Sequence, residues 1–331
     1  MKPETKNSII CSFLVYLFIG FAPALGVSAE RLRYGVPAMT LNIAPFVVAR
    51  DMGYYRDEGY DVEIVRARSE AIISAMVSGE IAYSFSTNTA VMASLRGLDL
   101  KILMIVLDKQ PGDFFVLPKY KSFSDLKGRK VGVPSLSSTV GLLTRNILIS
   151  KGLNPGVDVS LLVIGDDGTR FQAMQANAID GGILGVPFNF HAVDVGFRSL
   201  GRVGELAPPA PQGGVVTTKE RMRNSPQEIY KFLRASLKGY LVYRDHEALS
   251  IPIMMKFTRI TDADLMKRIY RYHKTKLTEE PWIPLDAQQK FLSDGMKSVP
   301  GKVRSLAVSD VFDSSLIQKI ATELEAAHWK P

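Results

Sequence analysis

The fold is decided by residues 32–65, which read LRYGVPAMTLNIAPFVVARDMGYYRDEGYDVEIV. Leu32 to Val36 has the apolar character of a buried strand, Pro37 to Leu41 forms its loop, and Ala44 to Asp51 fits a short helix. Val62 to Val65 follows as a second strand. A strand, a helix and a strand of these lengths predict two parallel strands joined by a right-handed crossover.

The same pattern recurs later in the chain. Gly35 to Pro37 reads Gly-Val-Pro at the end of an apolar strand, and so does Gly132 to Pro134. Residues 75–82 also match residues 173–180, at an offset that differs from the first by a single residue. This agreement of register predicts two related α/β lobes with parallel-rich sheets.

The lobe boundaries follow from two extended runs. Phe114 to Pro118 follows the fourth strand of the first lobe and leaves that lobe, and a strand from Val215 to Thr218 returns after a proline- and glycine-rich stretch. Two such crossings would form a two-strand hinge. We therefore predict that lobe 1 comprises residues 30–115 and 215–331 and that lobe 2 comprises residues 116–214, with the helical carboxyl-terminal part packed on lobe 1.

Residues 1–29 have the pattern of a secretory signal peptide. Two lysines precede an apolar run from Ile9 to Ile19, and Val27 to Ala29 suits a cleavage site. The alternative is a membrane anchor, but the run is shorter than the roughly 20 residues that a bilayer span requires. We expect cleavage after Ala29 and a periplasmic location.

Composition excludes several classes of chemistry. The single cysteine, Cys11, lies in the predicted signal segment, so we expect neither disulfides nor thiol chemistry after cleavage. The 41 Lys and Arg against 33 Asp and Glu give a net charge of +8, which is dispersed without a basic run. That pattern is typical of a solvated exterior and argues against a nucleic-acid partner.

No motif for catalysis or metal binding is present in the sequence. The four histidines stand far apart and none has a partner at ligand spacing, so we expect no metal site. There is also no nucleophile elbow, no phosphate-binding glycine-lysine loop and no dinucleotide fingerprint. We therefore expect a binding protein without a cofactor, rather than an enzyme.

Polar side chains gather where predicted strands end and helices begin. Ser86 to Asn88 follows the third strand, and Ser137 to Thr139 precedes a helix in the second lobe. Hydroxyl groups at a helix start either cap the helix or help to hold an anion, and both interpretations stay open. Asp166 and Asp167 follow another strand, where they would cap a helix or bind a cationic group of a ligand.

The chain resembles the periplasmic substrate-binding proteins of ABC importers, in the nitrate/sulfonate/taurine and thiamine-pyrimidine-precursor branch. The resemblance rests on Ala44 to Ala49, Gly53 to Tyr55, Gly59 to Val62 and Asp125 to Val133. It implies a type II periplasmic-binding-protein-like fold, with a ligand held between two lobes and handed to a membrane permease by a monomeric receptor.

By the same resemblance, the ligand-binding positions correspond to a small set of residues at strand ends. Together with Asp166, which is selected by its place at the end of a predicted strand, they are Met39, Thr40, Ser86, Thr87, Asn88, Ser137, Ser138, Thr139, Gly185 and Asn189. Members of the family often carry an acidic or aromatic residue beside the proline of the last loop, where this chain has Val186.

We therefore predict an extracytoplasmic receptor for a small polar or anionic organic ligand. Two alternatives share the fold. One is an enzyme similar to thiamine-pyrimidine synthases, which rely on histidine and cysteine chemistry, and the other is a receptor that reports to a sensory partner.

Overall fold

The computed structural model describes residues 29–109, 112–136, 138–207, 211–298 and 301–331. Nearly all of the predicted signal segment, with Cys11, therefore lies outside the described residues. Within these ranges, no helix is both long enough and apolar enough to cross a membrane.

Ten strands and fifteen α-helices make up the described structure. The strands are β1 Glu30–Val36, β2 Tyr60–Arg66, β3 Tyr83–Ser84, β4 Leu100–Leu107, β5 Asp113–Val116, β6 Arg129–Val133, β7 Val159–Val163, β8 Gly181–Leu184, β9 Arg198–Arg202 and β10 Gly213–Thr218. The helices are α1 Ala44–Asp51, α2 Tyr54–Asp57, α3 Ser69–Val77, α4 Thr87–Leu95, α5 Thr139–Ser150, α6 Asp167–Gln175, α7 Phe188–Asp194, α8 Val203–Leu206, α9 Lys219–Asn224, α10 Pro226–Asp245, α11 Glu247–Thr258, α12 Ala263–Lys274, α13 Leu285–Ser298, α14 Val308–Val311 and α15 Ser315–Ala326.

The strands form two five-stranded sheets with the same internal order. The first sheet runs β2-β1-β3-β10-β4 and the second runs β7-β6-β8-β5-β9. In each, the first three strands are parallel, and the fourth is antiparallel to both of its neighbours. The predicted α/β fold with parallel-rich sheets is confirmed, and the shared order agrees with the internal repeat in the sequence.

The glycine of the repeated Gly-Val-Pro occupies an equivalent position in each sheet. A Cβ at Gly35 of β1 would lie 2.5 Å from Cγ2 of Ile72, and a Cβ at Gly132 of β6 would lie 2.6 Å from Cδ1 of Ile179. Both distances are far below normal carbon contacts. Glycine at these two places therefore lets α3 pack closely on the first sheet and lets the segment between α6 and β8 pack closely on the second.

The crossings between the sheets lie a few residues earlier than the sequence predicted. All four residues of β5 are buried and pair in the second sheet, and β10 begins at Gly213 in the first. The boundaries predicted after residues 115 and 214 thus fall inside strands. An apolar extended run is stabilised by pairing within a sheet, so each run belongs to a strand. The connection between the two sheets therefore precedes the run.

The carboxyl-terminal helices cover the first sheet, as predicted. The buried face of α10 includes Ile229, Phe232 and Leu237, and Phe232 stacks on the ring of Tyr83 with 3.8 Å between centroids. Gly239 of α10 lies against α1, where an added Cβ would meet the Pro45 carbonyl oxygen at 2.3 Å. This close packing holds α1 against α10.

Candidate functional site

A cleft of about 270 Å³ lies where loops from both sheets meet. Its walls follow the carboxyl ends of the parallel strands β1, β6 and β8, with a further loop after β7. Ligands of parallel α/β sheets bind at this end of the strands. The lining residues are Ala38, Thr40, Leu41, Asn42, Pro134, Val140, Asp166, Asp167, Arg170, Ile183, Gly185, Val186 and His273.

The wall on the first sheet is polar at Asn42 and His273. His273 of α12 is fully buried, and its Nε2 lies 3.3 Å from Oδ1 of Asn42. Its Nδ1 lies 2.9 Å from the hydroxyl of Tyr243. Burial, with a smaller effect of the Lys276 charge, lowers the pKa of His273 to about 3. The imidazole is therefore neutral at physiological pH and adds no positive charge to the cleft.

The wall on the second sheet contains one arginine, Arg170, whose guanidinium is hydrogen-bonded to other groups of the protein. The Arg170 side chain is 2% exposed, and its Nε and Nη2 donate to the Ile183 carbonyl at 3.3 and 3.2 Å. The same guanidinium donates to the Gly165 carbonyl and to the Asp167 carboxylate. Most of its N–H groups are thus committed, which leaves little capacity to bind an anionic ligand.

The two aspartates of this wall differ in their surroundings. Asp166 caps α6, since its Oδ1 accepts from the backbone N of Thr169 at 2.9 Å and from its hydroxyl at 2.8 Å. These hydrogen bonds lower the pKa of Asp166. Burial raises the pKa of Asp167, and the guanidinium of Arg170 opposes that shift. The wall therefore presents carboxylate acceptors, with the charge of Asp167 balanced by Arg170.

Three of the residues predicted from the sequence come together in this cleft: Thr40, Asp166 and Gly185. The capping role proposed for Asp166 is confirmed, and one of its carboxylate oxygens has no partner among the described residues. Met39 is an exposed neighbour of Thr40, with 44% of its surface accessible, but it does not line the cleft.

The serine-threonine loop after β3 faces the protein interior instead. Ser86 donates to the Ser69 hydroxyl at 3.1 Å, and the buried Thr87 donates to the Pro211 carbonyl at 3.3 Å. Asn88 is half-buried in the first turn of α4. None of the three lines the cleft.

The hydroxyl cluster before α5 includes a helix cap. The Ser138 hydroxyl donates to the Ser135 carbonyl at 2.8 Å and accepts from the backbone N of Gly141 at 3.1 Å. The Ser138 hydroxyl, which was predicted either to cap a helix or to help hold an anion, is therefore engaged by groups of the protein itself. Thr139 begins α5, and Ser137 lies outside the described residues.

Asn189 belongs to a contact beside the cleft. Its Nδ2 donates to Oδ2 of Asp113 at 3.4 Å, and the same oxygen accepts from the Tyr272 hydroxyl at 3.0 Å. Since Tyr272 lies on α12 and Asp113 on β5, this contact joins the helical layer of the first sheet to the second sheet.

The sequence did not predict three polar residues of the cleft: Asn42, Arg170 and His273. Arg170 could have been found, because it follows Asp167 by three residues and faces the same side of a helix. His273 could not, since more than two hundred residues separate it from Asn42.

Comparison with known proteins identifies the family. The family described as "NMT1/THI5 like" matches residues 40–248, more than half of the chain. This protein belongs to the NMT1/THI5-like family. The family resemblance predicted from the sequence is thereby confirmed.

One curated relative and two solved structures extend this result. The riboflavin-binding protein RibY of Chloroflexus aurantiacus is 24% identical over 210 residues, which are 60% of this chain and only 58% of the relative. The nitrate-binding protein NrtA of Synechocystis PCC 6803 has a TM-score of 0.70 at 16% identity, covering 90% of each chain. A ligand-binding component of an ABC-type import system from Staphylococcus aureus, solved with zinc bound, has a TM-score of 0.67 at 16% identity, covering 88% of this chain and 99% of that chain. The structural likeness confirms a periplasmic-binding-protein fold for this NMT1/THI5-like chain.

Proposed function

We propose that this protein is an extracytoplasmic solute-binding receptor that delivers a small polar organic molecule to an ABC importer. The observation that carries the proposal is the cleft of about 270 Å³, which loops from both sheets line at their strand ends. A ligand there would contact both lobes and would stabilise their closed arrangement. Periplasmic location and a permease partner belong to the same proposal, supported by the binding proteins of this fold. A monomeric state belongs to it as well, as the family resemblance implies.

The charges of the cleft favour a neutral ligand, or one with a protonated nitrogen, over a simple anion. Arg170 is engaged by carbonyl groups and Asp167, and His273 is neutral. The Asp166 carboxylate stays ionised and faces the same space. A nitrate- or sulfonate-like anion would meet this carboxylate without a free cation among the described lining residues to balance it.

A thermal-shift screen of the purified protein tests the proposal. The panel contains nitrate, aliphatic sulfonates, carboxylates, aromatic acids, pyrimidines and riboflavin. Binding to the folded state alone raises the melting temperature, and a ligand at about 100 times its Kd adds roughly 2.7 kcal/mol of stability. We expect a shift from a neutral or nitrogen-bearing compound that is recovered unchanged. A shift from simple anions alone would contradict the ligand class, and consumption of the compound would favour the enzyme.

A further inference from the structure

A buried tyrosine hydroxyl contacts His273, one of the residues that line the cleft. The Tyr243 side chain is fully buried in α10, and its hydroxyl has one hydrogen-bond partner among the described residues, Nδ1 of His273 at 2.9 Å. A buried hydroxyl donates its proton wherever an acceptor is present, because an unpaired donor costs free energy. Tyr243 therefore donates, and Nδ1 of His273 accepts.

This hydrogen bond determines the tautomer of His273. A neutral imidazole carries one proton, so an accepting Nδ1 requires that the proton be on Nε2. The His273 ring is fully buried and neutral, with Nε2 directed at Oδ1 of Asn42 at 3.3 Å. The N–H of Nε2 thus donates to the carbonyl oxygen of the Asn42 amide.

The orientation of the Asn42 amide follows in turn. With Oδ1 bound to His273, the Nδ2 group is directed away from the ring, and Asn42 lines the cleft. In the part of the chain that the structure describes, no group accepts a hydrogen bond from this Nδ2. The amide is therefore available to donate to a bound molecule.

We propose that Tyr243 and His273 are positioning residues that hold Asn42 as a hydrogen-bond donor, so that the first-lobe wall selects ligands with an acceptor atom. The ligand class rests on the proposed receptor function. The facing wall offers an acceptor, because Asp166 lines the cleft and one of its carboxylate oxygens has no partner among the described residues. A ligand that hydrogen-bonds to both walls needs an acceptor on one edge and an N–H or ammonium donor on the other. Amides, ureides and nitrogen heterocycles have this arrangement.

The tautomer can be read in the ligand-free protein by NMR of histidine labelled with nitrogen-15. We expect His273 to show a protonated Nε2 and a bare Nδ1, without titration from about pH 8 to about pH 5. Tyr243→Phe removes this donor, so the bare Nδ1 should show a changed nitrogen-15 chemical shift because it loses its hydrogen bond. Tyr270→Phe is the matched control. The buried Tyr270 hydroxyl donates to the Tyr243 backbone carbonyl at 2.6 Å, and it takes no part in the relay of hydrogen bonds from Tyr243 through His273 to Asn42. A protonated Nδ1 in the wild-type protein would overturn the relay.

The ligand class is tested with Asn42→Asp and two neutral probes, uracil and riboflavin. Aspartate keeps an oxygen for the Nε2 proton of His273 but removes the donor, so a probe that binds the wild-type protein should bind about tenfold or more weakly. Asn146→Asp makes the same change on the exposed face of α5 and should have no effect. Equal affinities for the wild type and Asn42→Asp would overturn the donor role. If no compound in the screen binds, the receptor function fails, whereas the tautomer measurement still decides the relay.

Discussion

At the scale of single residues, the character of the cleft depends on which polar groups the protein has already paired. By residue type alone, Arg170 would be expected to bind an anion. In the structure its side chain is 2% exposed and is bound to Asp167 and two backbone carbonyls. Asn42 is the opposite case, since an ordinary amide in a loop is oriented by a buried histidine. Chemistry at this site therefore follows from hydrogen-bond partners more than from residue types.

Replacing Arg170 by methionine should destabilise the fold by about 2–3 kcal/mol, because it leaves Asp167 and the Ile183 carbonyl without their donor. The expected loss is moderate because the Asp167 side chain is one-third exposed. Urea denaturation measures the change. Lys290→Met is the control, since it breaks an exposed pair with Asp294 at 2.8 Å and should cost less than about 1 kcal/mol. Equal losses in both variants would show that Arg170 is not a structural residue.

His273 should make stability depend on pH in the mildly acidic range. Its folded-state pKa of about 3 lies below the usual value of 6.5, so the unfolded chain binds the proton more readily. Stability from this residue is present above about pH 6.5 and is lost as the pH falls towards 3, by about 2 kcal/mol at pH 5. Chemical denaturation from pH 7 to pH 5 should show this loss in the wild type and a smaller loss in His273→Gln. Parallel pH profiles would be inconsistent with a neutral buried ring.

At the scale of elements, the sequence predicted most helices and strands because their apolar periodicity matches their burial. The predicted helix Ala44 to Asp51 has the observed bounds, and the glycine of the repeated Gly-Val-Pro is explained by close packing. The loops were harder to predict. Ser86 and Ser138 carry the polar groups expected of a ligand site, yet both use them for contacts within the protein. Such local pairing depends on backbone geometry, which residue types do not reveal.

The packing of α10 on α1 gives a prediction in which two effects oppose each other. Alanine is favoured over glycine in a helix by about 1 kcal/mol, but a Cβ at Gly239 would lie 2.3 Å from the Pro45 carbonyl oxygen. Displacing a packed backbone costs about 1–3 kcal/mol or more, so Gly239→Ala should destabilise the protein. Gly295→Ala in α13 is the control, because the nearest atom is the terminal methyl of Met92, which can move. Thermal melting should separate the two, and a stabilised Gly239→Ala would refute the packing argument.

At the scale of the whole molecule, two sheets of the same strand order meet at one cleft, and α12 contacts both of them. Its His273 contacts the first-sheet loop at Asn42, and its Tyr272 donates to Asp113 of the second sheet at 3.0 Å. A ligand at the cleft would therefore act on a helix that also contacts the other sheet. This arrangement is suited to a receptor that closes around a small molecule.

The most direct test of the receptor function is a calorimetric titration of the compound that gives the largest thermal shift, carried out on the wild type and two variants. Ala38→Trp places a large ring in the cleft, and Ala326→Trp places the same ring on the exposed end of α15. We expect the wild type and Ala326→Trp to bind one equivalent with the same Kd, and Ala38→Trp to bind at least about tenfold more weakly while remaining folded. Unchanged binding by a folded Ala38→Trp would contradict the assignment of the cleft as the ligand site.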